Sequence, residues 1–89
     1  MIIGKVVGTV VATRKNDRLV GSKLLIVEPL ENMDKGKMSG RFIAIDNVGA
    51  GVGENVLVVL GSGARVGCNM KDSPIDAAIV GIVDTISEL

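Results

Sequence analysis

The chain has no histidine, tryptophan or tyrosine, one phenylalanine, Phe42, and one cysteine, Cys68. Without histidine, a nucleophile activated by imidazole and a metal site with an imidazole ligand are both excluded. Cys68 has no partner for an intrachain disulfide and no histidine to activate it, so it reads as a free thiol in a reducing cytosol. A single aromatic leaves little on which successive bases could stack. Charge of neither sign is in excess, with ten Lys and Arg against ten Asp and Glu, so no net field gathers polyanions. No apolar run approaches the roughly 20 residues of a membrane helix. Residues 2–12 carry Lys5 and two glycines, without the basic lead or small-residue cleavage pattern of a secretory signal. The expectation is a cytoplasmic chain with no membrane and no nucleic-acid partner.

What the chain does have is aliphatic bulk on a small frame. Of its 89 residues 47% are hydrophobic, mainly Val, Ile, Leu and Ala, and twelve are glycine. A chain this short forms one core and buries only roughly 60 to 65% of its unfolded surface. Val and Ile with many glycine turns favour β-structure, which predicts a small all-β barrel spanning residues 1–89 as a single domain. So much apolar residue on so small a body also predicts that part of it faces a neighbouring subunit, hence a homo-oligomer.

Along the chain, two-residue alternation predicts a strand over 2–13, with Ile3 and Val7 on one side and Ile2 and Val6 on the other. The charged residues 14–18 read as a solvated loop leading to a second strand over 23–30, which Pro29 ends or places at an edge. A polar loop over 32–40 leads to a third strand over 41–46. The uninterrupted apolar run 55–60 predicts a fourth strand covered on both faces, by the core and by a partner. Ser73, Pro74 and Asp76 form a helix-start signature, predicting a short helix over 74–78, and 79–86 returns to strand with a bend at Gly81.

Two glycine clusters invite a functional reading. The segment 56–67, with Asp84 following, imitates the opening of a dinucleotide-binding fold, but Pro74 would break the required helix at about 3 kcal/mol. The chain also lacks a second half to form the crevice, so no cofactor is expected. The second cluster runs over 46–54 and precedes a strand, so no helix N-terminus stands behind it to hold a phosphate. Its glycines allow positive φ and close backbone approach, which suits either an ordinary hairpin loop or a loop packed between subunits. Ser62 has no base near it in sequence, and Asp46, Asp76 and Asp84 each have a structural role at hand. No catalytic residue is assigned and the chain is not read as an enzyme.

A family resemblance is carried by Leu24, Leu25, Ile26, Val27 and Glu28, then by residues 43–57, then by Gly61, Ser62, Gly63, Ala64 and Arg65. It extends through residues 73–76 and 80–84, and its specific part is the run from Asp46 to Glu54. In these segments the chain resembles the vertex proteins of bacterial microcompartments, the EutN/CcmL type. The resemblance implies a five-stranded barrel similar to the oligonucleotide-binding fold, with one short helix, assembled as a cyclic pentamer in a microcompartment shell beside hexameric shell proteins. On that reading Asn47, Val48, Gly49, Ala50, Gly51, Val52 and Gly53 are expected to pack near the five-fold axis, because glycines let several copies of the backbone converge, with Glu54, Ser62 and Arg65 expected at the subunit interface. The alternative use of this architecture is a module that binds single-stranded nucleic acid.

Overall fold

Five apolar stretches pair as strands, and their alternation sorts side chains into an inside and an outside. A computed structural model describes residues 1–13, 17–30, 40–61, 64 and 76–87. The strands are β1 (Ile2–Val10), β2 (Lys23–Pro29), β3 (Phe42–Asp46), β4 (Asn55–Leu60) and β5 (Ala77–Val83), with a 3₁₀ turn at Asp17–Leu19 before β2. They close into one barrel in the order β1-β2-β3-β5-β4, and β4 returns to β1. All neighbours are antiparallel except β3 and β5, whose parallel seam consists of Ile45 beside Ala78 and Asp46 beside Ile79.

The interior is filled by Val6, Leu25, Val27, Val56, Val58 and Ile79, all fully buried, with Ala44 and Ala77 where less room remains. Burying each large aliphatic side chain contributes about 1.5 to 3 kcal/mol, so these residues dominate the fold's stability. Phe42 and Leu60 pack against the same core at its edge. On the outside, Ile45, Ala78 and Ala64 form a second, smaller cluster with Leu24 and Leu19 against it. Glycine sets the spacing of β1 and β2: a Cβ on Gly4 would stand 2.5 Å from Val27 Cγ1 and 3.0 Å from the Glu28 carbonyl oxygen.

The expected elements are recovered, β2 and β3 within one residue of their expected bounds, with three larger differences. β1 ends at Val10, short of residue 13, while β4 occupies the expected 55–60. The expected helix over 74–78 is corrected, because Ala77 and Ala78 are the first residues of β5, paired with Leu60 and Val59 of β4. Ladder bonds and burial of both alanines outweigh a local cap signature, whose Ser73 and Pro74 lie outside the described residues. β5 correspondingly ends at Val83, short of residue 86. The bend expected at Gly81 is a bulge, since Leu57 faces Gly81 and Val58 faces Ile79, leaving Val80 unmatched.

Strand direction brings particular segments together. The ends of β1, β3 and β5 and the starts of β2 and β4 meet at one end of the barrel, so the glycine cluster lies beside Lys23 and Val83.

Candidate functional site

The segment joining β3 to β4 is tied down at both ends. At its start, the Asp46 side chain is only 2% exposed. Its Oδ1 accepts hydrogen bonds of 3.1 Å from the amides of Val48 and Gly49, a local turn typical of aspartate. Its Oδ2 faces the Lys23 ammonium at 3.7 Å. Lys23 Nζ in turn donates a 2.7 Å hydrogen bond to the Ala50 carbonyl, across 27 residues of sequence. At the far end, the Gly51 amide donates to Glu54 Oε1 at 2.7 Å, and the Glu54 amide donates to the Gly51 carbonyl at 3.2 Å. The Gly53 amide donates to the Val6 carbonyl at 2.8 Å, and the Val6 amide to the Glu54 carbonyl at 2.9 Å, joining the segment to β1.

These ties give the loop a defined shape. Ala50 is fully buried and joins the barrel core, stoppering its end. Gly49 and Gly53 have φ of +79° and +94°, where a side chain would be strained. Between these fixed points Val48 and Val52 point outward, 39% and 61% exposed. The loop thus presents backbone and aliphatic side chains, with its two carboxylates turned back onto its own amides.

The expected site residues divide clearly. Asn47, Val48, Gly49, Ala50, Gly51, Val52, Gly53 and Glu54 lie together in this loop or at its end. Ser62 and Arg65 fall outside the described residues. Lys23 was not singled out by the sequence, where it is simply the polar first residue of a strand. Elsewhere, a cleft at the opposite end is lined by Arg41, Phe42, Ile43, Leu60, Asp76 and Ala77, whose two charges are of opposite sign. Among the described residues, no group of three His, Cys, Asp or Glu side chains is placed to hold a metal, and no helix is long and apolar enough to cross a membrane.

A closed aliphatic barrel that displays an ordered, glycine-rich, valine-tipped loop has the features of an assembly subunit, a protein that acts through contacts with other chains. More narrowly, the chain belongs to the family described as Ethanolamine utilisation protein EutN/carboxysome, whose model matches residues 1–84. It is 50% identical over 86 residues to the bacterial microcompartment shell vertex protein GrpN of Rhodospirillum rubrum, covering 97% of this chain and 96% of the relative. It is 48% identical over 88 residues to the carboxysome shell vertex protein CcmL of a Synechocystis strain, covering 98% and 86%. The solved GrpN pentameric microcompartment shell protein from Rhodospirillum rubrum superposes with a TM-score of 0.83 at 49% identity, over 100% of both chains. These relatives are shell components rather than enzymes. They also displace the nucleic-acid alternative, and Phe42, the one aromatic, is packed against the core rather than displayed as a stacking surface.

Proposed function

We propose that this chain is the pentameric vertex subunit of a bacterial microcompartment shell, closing a polyhedral container at its corners. Hexagonal tiles alone extend as a flat sheet, so a closed shell requires pentagons among the hexameric shell proteins. A heterologous contact repeated around an axis is what produces such a ring. The chemistry asked of the subunit is shape and surface, which matches a barrel whose most organised exposed feature is a loop.

The observation that carries the placement of this loop is Gly51. Gly4 is required by packing within the chain, and Gly49 and Gly53 by their positive φ. Gly51 has neither reason: its φ lies outside the left-handed region, and the nearest atom to an added Cβ is Glu54 Oε1 at an ordinary 3.5 Å. A side chain at 51 is therefore accommodated within the subunit, so a ring that rejects one does so through a neighbouring copy, as expected if residues 47–53 converge with their copies at the five-fold axis. On this reading Gly51→Val folds normally but loses the pentamer in native mass spectrometry. A pentamer of unchanged size and stability in that variant overturns the placement.

Glu54 stands at the foot of the same loop and is assigned, with Ser62 and Arg65, to the subunit boundary. A guanidinium suits a multidentate contact with a carboxylate or carbonyls of the neighbouring copy, so Arg65→Ala is expected to ease dissociation of the ring. The loops at 14–18 and 33–40 are candidates for contact with hexameric shell proteins or with cargo, since connecting segments of this charged and polar composition carry such contacts.

A further inference from the structure

Resting on the axis reading of residues 47–53, we propose that Lys23 is a positioning residue that latches this loop in the shape that permits the ring, so that assembly depends on its single ammonium. The argument starts from Asp46. Its side chain is 2% exposed, and a carboxylate so enclosed requires compensation from charge and hydrogen bonds. Two loop amides supply hydrogen bonds to Oδ1, and Lys23 supplies the positive charge facing Oδ2. Lys23 also bonds the Ala50 carbonyl at 2.7 Å, so one cation ties the start of the loop to its middle and holds Ala50 in the barrel mouth. Among the described residues no other cation forms an ion pair or hydrogen bond with the loop.

Removing the ammonium leaves a buried carboxylate facing no cation and the Ala50 carbonyl without its donor. The loop relieves both by moving into water, because its remaining ties are the short turn at Asp46 and the bonds near Gly53. Of the core side chains only the small Ala50 leaves with the loop, so the five strands stay paired. What is lost is the fixed display of Val48 and Val52, and with it the fit between copies. Lys23 itself is half-exposed, at 51%, so the latch works at a position that solvent reaches.

The test is Lys23→Gln in the full chain, followed by native mass spectrometry over a dilution series and hydrogen exchange of the loop. The expected result is at least a tenfold rise in the concentration at which rings half-dissociate. Exchange should quicken at Gly49 and Gly51 while the amides of Leu25 and Val56 keep their protection. Lys23→Arg retains a cation and a donor and should hold the ring within a few-fold of the parent. Unchanged ring stability and loop exchange in Lys23→Gln overturn the proposal, as does equal loss of protection across the strands, which would make Lys23 a general stabiliser. Val52→Lys separates the two readings, because it places like charges at the axis without touching the latch. A normal ring in that variant sinks the axis reading and this proposal with it, whereas a ring broken by Val52→Lys but not by Lys23→Gln sinks the latch alone.

Discussion

Two glycines of this chain answer to different neighbours, and the difference is measurable. At Gly4 an added methyl meets Val27 Cγ1 and the Glu28 backbone, so Gly4→Ala forces β1 and β2 apart. Chemical denaturation should show a loss of about 1 to 3 kcal/mol, the usual cost of overpacking. The same methyl at Gly51 meets only ordinary contact, so Gly51→Ala should leave the unfolding of dissociated subunits within about 0.5 kcal/mol of the parent. Asp46 gives a second contrast. Asp46→Ala removes the acceptor for two amides and the partner of Lys23, and should accelerate exchange at Val48 and Gly49. Asp46→Asn keeps an oxygen at Oδ1 and should largely preserve that protection; equal exchange in both variants would show that the side-chain acceptor does not shape the turn. The crowding of glycines at 49, 51 and 53 is plain in the sequence because it is local. The role of Lys23 is not, since its partner carbonyl is 27 residues away and a strand-initial lysine ordinarily ends in solvent.

At the scale of elements, β4 was legible and β5 only partly. The run Asn55–Leu60 reads as strand from composition alone, and burial now separates its faces: Val56 and Val58 are fully buried, whereas Leu57 and Val59 are only partly buried on the outer side. The uninterrupted apolar run implied cover on both sides, and within the single chain only the inner side is fully covered, which fits a strand that meets another subunit. A charge tests this parity. Val58→Asp buries an uncompensated carboxylate in the core and should abolish the folded barrel by circular dichroism, a loss above about 3 kcal/mol. Val59→Asp, one residue on, should leave the barrel's spectrum intact. Similar unfolding in both would mean that the outer face is as enclosed as the inner one. The start of β5 escaped the sequence for a related reason. Ser73, Pro74 and Asp76 are a genuine local signal, and Ala77 and Ala78 by themselves also favour helix, but pairing with β4 overrides that preference. Such pairing joins residues far apart in the chain, where no short pattern reports it.

At the scale of the molecule, the distribution of exposed aliphatic side chains sets the terms of assembly. Eight large hydrophobic residues are exposed among those described: Met1, Val11, Val20, Ile43, Val48, Val52, Ile82 and Ile86. All but Met1 and Ile43 belong to segments at the barrel end that carries the 47–53 loop, because strand direction places the ends of β1, β3 and β5 and the start of β2 there. A lone subunit therefore leaves these aliphatic side chains in water at that end, and on the axis reading their cover by identical copies favours the folded state by mass action. Since net charge is zero, long-range attraction adds little, and the association is expected to be apolar in character. The melting temperature should then rise with protein concentration over a hundredfold range, and change little between low and moderate salt. Because only folded subunits join the ring, dilution below its dissociation range must shift the balance toward unfolded chain. A melting temperature independent of concentration, with rings present at the upper end, would mean that each barrel is stable alone and that its exposed valines and isoleucines do not drive assembly.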